Sequence, residues 1–209
     1  MSKTLFPPSL HERNQSSLTN LITSLAKIPG LGTRSAKRMV YHLLGAKDQS
    51  LNQLIDKLTY LRDHARPCQR CFNICFAEIC DICANPNRDQ NLLCVVEKPQ
   101  NVEAIEKSAA YHGRYHVIGG LLSVFDGITP EDLNIEAIRR RITEENIKEV
   151  IFALPATQDG RTTLHMITDM LLDMPVQISI PAQGMPLGSD IDYLDQGTLM
   201  TAFKGRKPL

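Results

Sequence analysis

Four of the six cysteines in this chain are paired in a way that chemistry can use. Cys68-Gln69-Arg70-Cys71 and Cys80-Asp81-Ile82-Cys83 are two C-x2-C pairs separated by eight residues. Each pair forms a short knuckle presenting two thiolates, and the loop between them is long enough to bring four sulfurs around one tetrahedral zinc ion. Four thiolates leave no open coordination position, so the spacing predicts one structural Zn2+ per chain, not a catalytic one. A groove-reading finger needs a following helix, whereas Ala84-Asn85-Pro86-Asn87-Arg88-Asp89 has the composition of a turn. Cys75 breaks the pair spacing and reads as an alternative ligand or a spectator, with the recurrent knuckle geometry favouring the spectator. Cys94 lies in the apolar run Leu92-Leu93-Cys94-Val95-Val96 and reads as core, and His64 as a helix-surface residue.

A second constellation lies upstream. Leu18, Leu21, Ile22 and Leu25 recur at helical spacing behind Ser16-Ser17, which predicts an amphipathic helix starting near a serine cap. Ile28-Pro29-Gly30-Leu31-Gly32 ends it, and from Thr33 a second helix carries Ala36, Met39, Val40 and Leu43 on one stripe and Arg34, Lys37 and Arg38 on another. This is a helix–hairpin–helix pattern suited to phosphate capture. Gly30 and Gly32 let backbone N–H groups approach a phosphate, the second helix adds its positive dipole end, and Arg34, Lys37 and Arg38 supply charge. Such contacts read DNA as a polyanion, independently of sequence. The competing reading is a purely structural turn with a solvated basic face. A third helix, with Leu51, Leu54, Ile55, Leu58 and Leu61 in register, completes a small bundle.

Beyond the cysteines the pattern changes to alternating strands and helices. Strands are predicted at Leu92–Val96, Tyr115–Ile118, Val150–Leu154 and Val176–Ile180, with helices at Asn101–Ala110, about Pro130–Ile142, and Thr162–Leu172. That order gives a mostly parallel sheet with helices on both faces. Glu97 follows the first of these strands, the signature position of Toprim folds. In catalytic members it works with an Asp-x-Asp after a later strand to hold magnesium. Here that strand ends Phe152-Ala153-Leu154-Pro155-Ala156, so the acidic set is incomplete and the reading is non-enzymatic. Asp190-Ile191-Asp192 offers acids elsewhere, either for a second metal with Glu97 or, as favoured here, as a solvated loop or subunit contact. Arg139-Arg140-Arg141 closes a predicted helix and reads most simply as a partner for its dipole.

The whole chain has 209 residues with no net charge. That zero hides two halves: residues 1–70 hold eleven Lys/Arg against four Asp/Glu, and residues 71–209 hold twelve against nineteen. No run is long enough for a membrane span and Met1–Asn20 lacks signal-peptide features, so the expected location is cytoplasmic, where cysteine pairs bind metal in preference to forming disulfides. The reading is a multidomain α+β protein. Residues 1–66 are a helical DNA-binding module, 67–90 a four-cysteine zinc site, 91–182 an α/β Toprim domain, and 183–209 a C-terminal segment between subunits or against the Toprim domain.

Taken in order, the motifs resemble the RecR family of bacterial recombination mediators over nearly the full length. The resemblance rests on Ile28-Pro29-Gly30-Leu31-Gly32 with Ser35-Ala36 and Arg38-Met39, the four cysteines, and Cys94-Val95-Val96-Glu97. It extends through Tyr115-His116-Val117-Ile118-Gly119-Gly120, Asp126-Gly127-Ile128, and the ending from Thr198-Leu199 to Gly205-Arg206. It implies a non-enzymatic DNA-binding protein that forms a ring-shaped homotetramer and acts with RecO and RecF to load RecA onto gapped single-stranded DNA. Arg34 and Arg38 match the family's DNA-contacting positions, and Glu97 and Asp159 are candidate partner-binding acids. The chain departs from the family pattern at Arg161, where the family has a second acid beside the one kept as Asp159, and at Gln183, where it has arginine. The alternative is a magnesium-dependent Toprim nuclease or primase-like phosphoryl transferase centred on Glu97.

Overall fold

The structure is a computed structural model that describes residues 10–45, 48–186 and 188–206. The chain forms two compact units, Met1–His64 and Ala65–Leu209. No described helix is long and apolar enough to cross a membrane.

The first unit holds three helices, α1 (Leu10–Leu25), α2 (Thr33–Gly45) and α3 (Asp48–His64). Helix α1 starts earlier than the serine pair suggested, so Ser16 and Ser17 lie within it. Pro29 and Gly30 form the turn between α1 and α2. The amide of Leu31 donates to the Ile28 carbonyl at 3.0 Å, and Gly30 has φ +81°, as a type II turn with proline second and glycine third requires. Among the described residues of the unit only Ala36 and Val40 are fully buried.

The second unit begins with the cysteine segment, where β1 (Arg66–Pro67) and β2 (Ile74–Cys75) make a small antiparallel pair and α4 (Asp81–Ala84) follows. Next come β3 (Asp89–Val96), α5 (Pro99–Ser108), β4 (Gly113–Val117), α6 (Glu136–Glu144), β5 (Glu149–Ala153), α7 (Gln158–Met170), β6 (Gln177–Ser179) and α8 (Gln196–Lys204). The last four strands form one parallel sheet in the order β4-β3-β5-β6. Side-chain alternation along β3 sorts its two cores. Leu93 and Val95 face one cluster with Ile138, Phe152 and Ile167, while Cys94 and Val96 face another with Val102 and Tyr115.

The helix expected over Pro130–Ile142 is broken. A single 3-10 turn at Pro130–Asp132 is followed by irregular chain before α6. The cause lies on β4. The amide of Asn134 donates to the Ile118 carbonyl at 2.9 Å, its side-chain amide donates to the Val117 carbonyl at 3.3 Å, and its own carbonyl meets His116 Nε2 at 2.6 Å. Three bonds to the end of a strand hold that backbone out of a helix.

The arginine run also differs from a simple dipole partner. Arg139 pairs with Asp173 at 2.7 Å. Arg141 is buried and donates to Glu145 at 2.8 Å and to the Tyr115 carbonyl at 2.7 Å. Glu145 also receives Arg114 at 2.8 Å and lies 3.3 Å from Arg70. Burial alone would raise the Glu145 carboxyl, but the hydrogen bond from Arg141 and the charges of Arg141, Arg70 and Arg114 bring it below its ordinary value. Replacing Glu145 with Ala strands Arg114 and Arg141 without their carboxylate and should cost about 3–5 kcal/mol of unfolding free energy, read by chemical denaturation. Glu103→Ala, in the exposed pair with Lys107, should leave the same measurement unchanged.

His116 is bound into this network. Its Nδ1 faces the Arg141 guanidinium at 3.2 Å, so that nitrogen accepts, and Nε2 carries the proton donated to Asn134. Glu145 and the Phe72 ring complete its surroundings. Burial first, and the Arg141 charge second, lower its pKa to about 4. The unfolded chain takes up this proton near pH ~6.5, so the stability contributed is complete above that pH and is lost as pH falls toward 4. NMR should show a neutral Nε2–H imidazole at pH 5, and unfolding free energy should fall by up to about 3 kcal/mol across the window. A protonated His116 at pH 5 would contradict this arrangement.

Candidate metal centre and nucleic-acid interface

The sulfurs of Cys68, Cys71, Cys80 and Cys83 all lie within 4.8 Å of one another and are buried. Among the described residues this is the only convergence of three or more potential metal ligands. Local backbone bonds build it. The amide of Cys68 donates to the Asn73 carbonyl at 2.7 Å, that of Phe72 to the Cys68 carbonyl at 2.9 Å, and that of Ala84 to the Cys80 carbonyl at 2.9 Å. Phe72 takes a left-handed conformation, φ 62°, to turn the first knuckle. The sulfurs also accept backbone amides, Cys68 from Cys80 at 3.3 Å and Cys80 from Cys83 at 3.4 Å.

The donor set fits zinc. A Zn–S bond of about 2.3 Å in a tetrahedron places sulfurs about 3.8 Å apart, and Cys71 and Cys80 stand at 3.6 Å. Left to themselves, thiols this close and buried cannot all ionise. Hydrogen bonding to Cys80 pushes the Cys71 thiol far up, and the same contact pulls Cys80 down as the favoured thiolate. A divalent cation at the centre is what lets all four carry charge. Cys75 stands apart from the four, with its Sγ–H donating to the Ala77 carbonyl at 2.9 Å.

The cysteine segment is joined to the sheet. The Cys71 carbonyl accepts from the amide of Val117 at 2.8 Å. Because β4 is an edge strand, this bond covers part of an edge that would otherwise be unpaired. Phe72 and Ile82 pack into the cluster of Cys94, Val96 and Tyr115, and Arg70, from inside the first C-x2-C pair, reaches Glu145 and the Cys83 carbonyl at 3.3 Å. Sequence reading assigned no role to Arg70, His116 and Glu145, and assigned Arg141 only to its helix dipole. Their partners lie far away along the chain, and only the break in the apolar pattern at Arg114 and His116 within a buried strand hinted at them.

In the first unit, Gly30 and Gly32 have open space where a side chain would stand. The Gly32 carbonyl accepts the first helical bond of α2, from Ala36 at 2.9 Å, so Gly32, not Thr33, occupies the capping position. The amides of the next three residues have no acceptor within the helix. Arg34, Lys37 and Arg38 are exposed, and among the described residues none of them forms an ion pair. Lys37 lies 6.0 Å from the centroid of the Tyr41 ring.

The predicted acids do not converge. Glu97 follows β3 and meets Lys98 Nζ at 2.7 Å. Asp159 sits on the first turn of α7 beside Gly160, where a side chain would strike the Pro155 carbonyl at 2.0 Å. Among the described residues Asp190 and Asp192 join no group with Glu97, and the nearby Asp195 caps α8 by accepting the Thr198 amide at 3.0 Å. Arg161 and Gln183 line one cavity of about 220 Å3 at the ends of β5 and β6.

Family comparison agrees with this geometry. Residues 91–182 match the Toprim domain model, residues 18–61 the RecR helix-hairpin-helix model, and residues 184–207 the RecR C-terminal model. The recombination protein RecR of Maricaulis maris is 44% identical over 90% of this chain and 94% of its own length. The chain belongs to the RecR family. The RecR protein of Beijerinckia indica is 46% identical over 90% of this chain and 94% of its own length. That of Paracoccus denitrificans is 43% identical over 92% and 96% respectively. The α+β fold with a helix–hairpin–helix and a Toprim domain is therefore shared with the RecR family.

Metal analysis of the purified protein should find about one zinc per chain. Cys80→Ser should lose the metal and destabilise the Ala65–Leu209 unit, because metal binding contributes folding free energy directly. Cys75→Ser should keep its zinc. A metal-free protein with native stability would exclude the site.

Proposed function

We propose that this protein is a sequence-independent DNA-binding mediator of recombinational DNA repair, acting with RecO-like and RecF-like proteins to load RecA onto gapped single-stranded DNA. The observation that carries the reading is the hairpin. Gly30 and Gly32 leave the backbone open to approach, the first turn of α2 presents amides without helical acceptors, and Arg34, Lys37 and Arg38 stand exposed on the same helix. Together they are groups that grip a phosphate without touching a base. The relatives' common name, recombination protein, supports the cellular role.

The zinc is structural in this reading, held by Cys68, Cys71, Cys80 and Cys83. The Toprim domain serves as a binding surface, with Glu97 and Asp159 directed at a cationic protein partner. Phosphoryl transfer through magnesium needs several carboxylates in one array, whereas Glu97 is paired with Lys98. In this reading the function is non-enzymatic and its place is the cytoplasm. Homo-oligomerisation, as a ring-shaped tetramer by family resemblance, is favoured by the apolar side chains that the first unit leaves exposed, among them Tyr41, Leu44, Ile55 and Leu58.

Arg34→Ala with Arg38→Ala should weaken binding to a single-stranded oligonucleotide on the order of tenfold at ~0.1 M salt and flatten the log–log salt dependence by about 1.4. The loss should be the same for unrelated base sequences. Unchanged affinity at matched salt would remove the assignment.

A further inference from the structure

Val124 and Phe125 are the most exposed large apolar residues described, at 96% and 101% of full exposure. They are not on a loose loop. Ser123 and Ile128 pair across the loop, with the Ile128 amide donating to the Ser123 carbonyl at 2.9 Å and the Ser123 amide returning at 3.2 Å. The Ser123 hydroxyl donates to Asp126 at 2.8 Å, and Gly127 makes the return with φ +67°. The base is fixed from the other side, since the Leu122 amide donates at 2.9 Å to the hydroxyl of Thr163, which is fully buried on α7. Two apolar side chains are thus held out on a hairpin tip braced at both ends, where ordering them on binding costs little further entropy.

Beside the tip lies a groove of about 920 Å3 lined by Leu122, Phe125, Ile128, Pro130, Asp159 and Thr162 among others. Asp159 is its one ionisable lining residue. The segment from residue 119 to residue 138 contains Asp126, Glu131, Asp132 and Glu136 and no lysine or arginine. A nucleic acid is repelled by such a surface, and an acidic peptide equally so. An apolar knob and groove with Asp159 in its lining, Asp126 in the tip between Phe125 and Gly127, and Asp132 bonded to the lining residue Thr129 fit a protein segment that combines arginine or lysine with a large apolar side chain.

We propose that the Val124–Phe125 tip and the adjoining groove are the anchor point for a cationic, apolar segment of a protein partner: Phe125 inserts into the partner, the groove takes the partner's apolar side chain, and the rim acids meet its cations. This deepens the partner-binding reading of the Toprim domain given above and rests on it. It names an apolar anchor where that reading names only acids.

The probe is a short synthetic peptide of arginines and leucines around one tryptophan. The protein contains no tryptophan, so the peptide's emission reports binding directly. Binding to the full-length protein should shift NMR amides in 122–130 and 158–163. Val124→Ser with Phe125→Ser should weaken it roughly tenfold or more, as for a central apolar anchor. Asp159→Asn should weaken it less and flatten its salt dependence. Both sites are surface positions, so melting temperature should not change, and DNA affinity through the hairpin should match the parent protein. That last readout separates the two readings, since a failed hairpin test with a successful peptide test removes the DNA assignment alone. Three results would overturn the proposal: equal peptide affinity of parent and double variant, the same amides moving with oligothymidine, or a double variant whose sedimentation shows a changed oligomeric state, which would make a second copy the occupant.

Discussion

Glu145 takes hydrogen bonds from Arg114 and Arg141 and stands 3.3 Å from Arg70, so one carboxylate at the end of α6 collects cations from the cysteine segment, the edge strand β4 and its own helix. Burying these charges is costly unless each remaining donor finds an acceptor. Arg141 finds the Tyr115 carbonyl and Arg70 the Cys83 carbonyl, while the buried Nε of Arg114 is left without a hydrogen-bond partner among the described residues. The positive excess is then divided between backbone dipoles and the carboxylate. His116 follows from the same arrangement, because a guanidinium against its Nδ1 leaves only the neutral Nε2–H form compatible with the Asn134 carbonyl.

That network explains why the cysteine segment belongs with the sheet. Apolar contacts from Phe72 and Ile82 fill space but tolerate sliding. Directional bonds do not. The Cys71 carbonyl on the Val117 amide and the Arg70 guanidinium on Glu145 fix the knuckle against β4 in one register. A zinc ion in the four-sulfur site would set the shape of the knuckles, and these bonds set their place on the domain. The metal's influence thus reaches the sheet through a backbone carbonyl one bond away from a ligand's Cα.

What was legible in the sequence was what depends on near neighbours. Cysteine spacing fixes the reach of each knuckle, Pro29-Gly30 fixes a turn through two dihedral demands, and the run from Leu92 to Val96 marks a strand buried on both faces. The readings that changed depended on distant partners. Pro130–Ile142 has helical periodicity, yet Asn134 is drawn away by bonds to residues on and after β4. Arg139-Arg140-Arg141 looks like a charged helix end, yet its three members part company: one pairs with Asp173, one is exposed and one is buried on Glu145. Of the candidate sites, the convergence of the four cysteine sulfurs was legible to the residue because those cysteines cluster in sequence. The acids Glu97 and Asp159 were legible as positions on the fold, but the pairing of Glu97 with Lys98 was not.

The two units solve the problem of binding charge in different ways. In the first, Arg34, Lys37 and Arg38 form no ion pair among the described residues on a helix whose buried core is small, and the turn geometry keeps the backbone open in front of them. A polyanion meets groups that need no desolvated partner to be displaced, so affinity follows salt. In the second, the strongest cations are already matched internally, and what faces solvent around the 123–128 hairpin is acidic and apolar. Arg114 and Arg141, gathered on one buried carboxylate, are withdrawn from the surface of a stretch, residues 71–209, that holds twelve Lys/Arg against nineteen Asp/Glu. The same internal pairing that holds the cysteine segment in place therefore also adds to the acidic balance of the surface that the domain offers to others.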